Sequence, residues 1–161
     1  MTSSSPSTPR NQGAICDLAV IDAATGEVLL NTLVDPGRPI TTEASWIHGI
    51  GDADVADAPT WPQVLPRLLA VTQGRTVLAY NAEYDAGVIA ADTARHGLRP
   101  GHLGDEGRWA CVMNRRSDWT RSWRWLPLGG GHRALGDARV ALEVLREMTQ
   151  APARAATGPA S

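Results

Sequence analysis

The sequence predicts a single α/β domain, and three observations carry that reading. Strand-like and helix-like segments alternate along most of the chain. A short, wholly apolar run, Thr76-Val-Leu-Ala-Tyr80, has the character of a strand buried on both faces of a sheet. Two strand-like runs split by a turn precede it, which puts an antiparallel hairpin at one side of that sheet. With 161 residues, 43% of them hydrophobic, the chain can bury one sizeable core, and no repeat argues for more.

Residues 1–13 are rich in Ser and Pro, cannot bury apolar area, and are expected to be disordered; the folded domain then spans 14–150, and 151–161 is a low-complexity tail. Ala14 to Ile21 reads as a strand, Asp22 to Gly26 as a turn and Glu27 to Val34 as the antiparallel partner strand, ended by Asp35-Pro36-Gly37. A short helical turn is expected within Pro39 to Ile50. Thr60 and Gln63 have capping-box spacing for a helix to about Gln73, although Pro66 must either kink that helix or mark its true start. Asn81 suits the cap of a helix through His96, which Gly97 closes. Arg108 to Met113 reads as the last strand. After an Arg/Trp segment of weak periodicity comes the final helix, whose Leu135, Ala138, Leu142 and Leu145 form an inward apolar stripe.

Composition narrows the function classes. No apolar run approaches a membrane span, and Met1 to Arg10 lacks the apolar stretch of a signal peptide. Cys16 and Cys111 read as reduced thiols, so the expected location is cytoplasmic. A net charge of −2 gives no electrostatic argument for nucleic acid, but all 15 Lys-plus-Arg residues are arginine, which suits phosphate contacts.

Two stretches carry chemistry. In His132-Arg-Ala-Leu-Gly-Asp137, the imidazole lies on a loop behind Gly129 to Gly131 while Asp137 projects from the first turns of an anchored helix. A fixed carboxylate beside a mobile titratable base suits metal-dependent hydrolysis. The bland alternative is a surface Arg133–Asp137 pair at i, i+4. In Asn81-Ala-Glu-Tyr-Asp85, a carboxylate follows the carboxyl end of a buried strand, where α/β sheets place their sites; alone, it would be no more than an acid in the first turn of a helix.

Together with Glu43-Ala-Ser-Trp-Ile-His-Gly-Ile50, these motifs resemble the DEDDh-type 3′-to-5′ exonucleases, the family of the polymerase III proofreading subunit, ribonuclease T and oligoribonuclease. The resemblance runs from about Ile15 to Met148. It implies a ribonuclease-H-like mixed sheet flanked by helices and two divalent cations, Mg²⁺ or Mn²⁺, held by four carboxylates. It further implies Asp85 and Asp137 as metal ligands, His132 as general base, and Asn81 and His48 beside the terminal nucleotide, with His48 equally suited to a structural turn. The expected partners are single-stranded DNA or RNA 3′ ends, with a DNA polymerase or another repair protein, and no membrane. Arg108, Arg115, Arg116, Arg121 and Arg124 alternate with Trp109, Trp119, Trp123 and Trp125, and could guide a single strand by phosphate neutralisation and stacking.

The sequence departs from that family at its first motif, Asp-x-Glu at the end of a central strand. Nothing before Asp17 is acidic, and Asp22-Ala-Ala-Thr-Gly-Glu27 occupies the hairpin turn instead of a strand end. Either the chain starts downstream of that strand or it is a degenerate relative. Two carboxylates out of four hold hard cations weakly. The chain as written is therefore expected to lack nuclease activity, and its neighbouring strands to leave backbone edges unpaired or to close up differently.

Overall fold

The computed structural model describes residues 14–122, 124, 126–129 and 131–150. The expectations for 1–13, for 151–161 and for Trp123 and Trp125 lie outside those residues. β1 (Asp17–Ile21) and β2 (Val28–Leu33) form the expected antiparallel hairpin, with Asp17 opposite Leu33 and a bulge between Val20 and Ile21. Its turn is an Asx turn: the Asp22 carboxylate accepts from Ala24 N–H at 2.8 Å and from Thr25 N–H at 3.2 Å. Gly26 follows at φ 78°, a conformation that disfavours any side chain.

α1 (Thr42–His48) is the predicted turn, capped by the Thr41 hydroxyl and stopped at Gly49. The single-turn α2 (Asp52–Val55) had no periodic signal to announce it. In α3 (Trp61–Thr72) the Thr60 N–H donates to Gln63 Oε1 at 2.9 Å, so the cap decides the start. The helix runs through Pro66, which removes the alternative that it begins there. β3 (Val77–Ala79) pairs in parallel with β4 (Trp109–Cys111), and α4 (Ala82–Arg95) lies between them in sequence. The predicted last strand is cut short because Val112 and Met113 turn into α5 (Val112–Thr120), a helix whose apolar pattern is too weak to read. α6 (Ala134–Thr149) closes the fold. No helix of the described residues is long and apolar enough to cross a membrane.

The core is built where α3 meets the hairpin and α4. Trp61, Val64, Leu65 and Leu68 of α3 pack with Leu30, Val34 and Ile89. The fully buried Trp61 indole donates to Thr93 Oγ1 at 3.0 Å, and that hydroxyl donates on to Ile89 O at 2.6 Å. Trp61→Phe removes the donor and some ring volume; an expected loss of about 2 kcal/mol, read by urea denaturation, follows from one buried hydrogen bond plus imperfect filling.

One expectation fails in an informative way. β3 is not buried on both faces: Leu78 is 43% exposed. The strands form two separate two-stranded sheets, β1-β2 and β3-β4, and among the described residues no ladder joins β1 to β3. Both strands face a shared cavity of ≈720 Å³, bounded by α6 and α4. Between them, among the described residues, lies an open trough.

Candidate active site

Two helix starts meet at one end of that trough. α4 begins directly after β3, with Asn81 Oδ1 accepting from Tyr84 N–H at 3.3 Å and Asp85 N–H closing the first turn onto Asn81 O at 3.1 Å. α6 begins with Asp137 N–H bonded to Arg133 O at 2.9 Å. Each cap orients its helix so that an acid in the first turn, Asp85 or Asp137, lines the same cavity. His132, Asn81 and His48 line it as well. The structure therefore brings together five of the seven residues the sequence singled out.

Electrostatics tie the two acids to each other. Burial first, and then the charge of Asp137, push the Asp85 carboxyl up to about 6. A helix N-terminus acts in the opposite sense, favouring the ionised form by about 0.3–1 kcal/mol. A rise of that size over an ordinary aspartate corresponds to about 3 kcal/mol, so burial and the second carboxylate dominate over the dipole. A group sitting between them that carried positive charge would reverse this.

His132 is exposed and adopts φ 59°, an uncommon left-handed conformation for a side-chain-bearing residue, while its N–H donates to Asp137 Oδ1 at 3.2 Å. The loop thus holds the imidazole at the mouth and fixes the Asp137 carboxylate with the same residue. The i, i+4 pair expected as the bland alternative does not form. Instead Arg133 Nε donates to Asp17 Oδ2 at 2.9 Å, and Ala134 N–H donates to the same oxygen at 3.0 Å. Asp17, at the start of β1, thereby caps α6 from across the sequence. No local signal reveals a pairing between residues 116 positions apart.

His48 also has a structural task. Its Nδ1 accepts from Ile50 N–H at 3.1 Å, which leaves Nε2 as the protonated nitrogen, 3.6 Å from Cys16 Sγ. Burial, followed by the charge of Asp17, pushes the Cys16 thiol up. A histidine that donates to a thiol of raised pKa does not generate a thiolate, so the pair is no cysteine nucleophile. Arg115 and Arg116 do not line the cavity. Arg115 is exposed on α5, whereas Arg116 Nη1 donates to Tyr80 Oη at 3.1 Å and to Pro127 O at 3.3 Å, and Tyr80 in turn bonds Leu126 O. Asp22 pairs with Arg75 at 2.7 Å and holds its turn, at the end of β1 away from Asp17.

Comparison with known proteins identifies the family. The exonuclease family model, that of ribonuclease T, matches residues 1–145. The chain belongs to the exonuclease family. It is 31% identical over 156 residues to an uncharacterized exonuclease, CP81, of Escherichia phage 186, covering 81% of this chain and 77% of the phage protein. It is 35% identical over 104 residues to exodeoxyribonuclease 10 of Escherichia coli K12, covering 63% of this chain but only 40% of that longer protein. A solved structure of exonuclease X in complex with 5′ overhanging duplex DNA superposes with TM-score 0.58 and 26% identity, over 87% of this chain and 86% of that one. The fold is accordingly the ribonuclease-H-like α/β fold expected from the sequence.

Family membership sharpens the question of what the donor set can hold. Among the described residues, no group of three or more His, Cys, Asp or Glu side chains is placed to bind a metal ion. Asp85 and Asp137 line the same cavity and act on each other electrostatically, and Asp17, another carboxylate of the cavity, is committed to Arg133 and the α6 N-terminus. Two carboxylates fit a single hydrated cation and do not fit a pair of Mg²⁺ ions, which rely on carboxylate charge to offset dehydration.

Proposed function

We propose that this chain is a DEDDh-type 3′-to-5′ exonuclease homologue that recognises nucleic-acid 3′ ends through a half-built catalytic centre. The observation that carries the reading is the convergence of Asp85 and Asp137, from two separate helix starts, on one cavity with His132 at its mouth. In that reading Asp85 and Asp137 are the metal-facing acids, and Asn81 and His48 border the terminal nucleotide. His132 takes a proton at the mouth, where its exposed ring can approach water. Its strained backbone agrees with a role at the site, since such outliers persist where surrounding structure enforces them. Mg²⁺ or Mn²⁺ would supply charge neutralisation of a phosphodiester, but the donor set among the described residues falls short of two ions.

A second reading follows from that shortage: a catalytically inactive nucleic-acid-binding module. Release of nucleotides from labelled single-stranded DNA and RNA, with Mg²⁺ or Mn²⁺, separates the two. Background release from the isolated chain together with measurable oligonucleotide binding is the expected outcome. Turnover that His132→Ala abolishes would show the centre to be complete.

Binding has its own test. Trp119 is 47% exposed on α5, and Arg115 and Arg121 are exposed near it, a combination suited to a single strand. Arg115→Ala/Arg121→Ala should weaken oligonucleotide affinity and lower the salt slope by about two contacts. Arg116 is left out of this variant because it pins the loop at Leu126 and Pro127. A fragment shared with the DNA polymerase III subunit epsilon of Pasteurella multocida, 35% identical over 56 residues and covering 35% of this chain and 22% of that protein, supports a polymerase as partner.

A further inference from the structure

We infer that Asp17 is a positioning residue of the site: from the first residue of β1 it anchors the start of α6 and so sets where the His132 imidazole stands relative to Asp85 and Asp137. One oxygen does the anchoring. Asp17 Oδ2 accepts from Ala134 N–H at 3.0 Å and from Arg133 Nε at 2.9 Å, and the side chain is only 11% exposed. An ionised acceptor makes the stronger kind of hydrogen bond, so the chain is held firmly just after the imidazole. Just before it, His132 N–H donates to Asp137 Oδ1 at 3.2 Å. With its backbone tethered on both flanks at φ 59°, His132 keeps little beyond its own two side-chain torsions with which to move the ring.

The residues near His132 in sequence do not supply this anchor. Arg133 occupies the N-cap of α6 and makes no side-chain cap there, because a guanidinium only donates. Upstream, Arg116 and Tyr80 hold the chain at Leu126 and Pro127. Between that clamp and His132 lie Gly129, at φ 75°, and Gly131, with no heavy atom within 4 Å of where a Cβ would stand. Glycine backbone passes on little orientation, so the clamp cannot fix the imidazole. An acid used for helix stability alone would serve as well from position 133 itself. Asp17 instead reaches the helix start from 116 positions away, on a strand that lines the cavity, and registers α6 against β1. A base and a carboxylate at the start of one helix need that kind of support to keep their geometry. That the placed imidazole takes a proton rests on the function proposed above; the anchor does not.

The test uses the full chain, labelled for NMR, and the variants Asp17→Ala, Asp17→Asn and Arg133→Ala. In Asp17→Ala the His132 and Ala134 amides should exchange about tenfold faster or more, and the HN–Hα coupling of His132 should leave the value of its left-handed φ. Amides from Ala141 to Leu145, in the middle of α6, should stay within about twofold. Asparagine keeps an oxygen for Ala134 N–H, and Arg133→Ala keeps Asp17 whole, so both should retain most of the protection. Faster exchange along the whole of α6 would reduce Asp17 to a stability cap and overturn the inference. So would an unchanged His132, or an asparagine variant no better than alanine. A single-stranded oligonucleotide, added last, separates the anchor from the function: the His132 ring signals should shift in the natural protein and shift clearly less in Asp17→Ala. The expected exchange pattern with no ring shift in any variant would uphold the anchor and count against the proposed function instead.

Discussion

Asp92→Ala is expected to cost about 3 kcal/mol of unfolding free energy, the range seen when one partner of a buried charged network is removed. The Asp92 side chain is fully buried in α4, where Oδ2 accepts from Ile15 N–H at 3.0 Å and Oδ1 pairs with Arg95. Alanine would leave that amide without its acceptor and deprive Arg95 of its counter-charge. Arg95 is partly exposed, so water recovers some of the loss and keeps the figure at the lower end. Asp92→Asn retains an acceptor for Ile15 and should cost about half as much. Urea melts of the two variants check the order, and equal destabilisation would show that the Ile15 contact contributes nothing. The effect reaches the site, because Ile15 leads directly into Cys16 and Asp17: slackening it should lower protection of the β1 amides before the rest of the fold responds.

How far the sequence could be read follows from the range of the interactions involved. Caps are local, so Thr60 with Gln63 and Asn81 with Tyr84 announced the starts of α3 and α4 correctly. The acids of the site were legible for the same reason: each sits in the first turn of a helix whose start is marked in the chain. Long-range pairs were not. Nothing near Asp17 indicates that it caps α6, and nothing near Arg116 indicates that it clamps Tyr80 and Pro127 instead of facing a strand of nucleic acid. β3 misled for a different reason: an apolar run fits a strand covered on both faces, and its composition cannot report that Leu78 is left exposed. The helix α5 was hidden because Arg, Asn, Ser and Asp fill most of it, leaving Val112 and Ser117 as its buried contacts.

Asp85→Asn should stabilise the protein above pH 6 while changing little at pH 4. The folded carboxyl is raised to about 6, by burial and then by Asp137, against about 3.9 in the unfolded chain. Between those values the folded state binds more protons than the unfolded one, so stability falls as pH rises. The contribution is complete below about 4 and lost above about 6, a difference of about 2–3 kcal/mol after allowance for partial solvent access. Asparagine cannot ionise, so its profile lacks the fall that the raised Asp85 carboxyl imposes. Thermal melts from pH 4 to 8 read the divergence directly; parallel profiles would mean that Asp85 is not held near Asp137 in solution. Magnesium sharpens the test. A cation seated between the two acids lowers the Asp85 pKa and removes the penalty, so added Mg²⁺ should close most of the gap at pH 8 by stabilising the natural protein alone. Closure of that gap by Mg²⁺ would support the metal-facing role proposed for Asp85 and Asp137, and an unchanged gap would count against it.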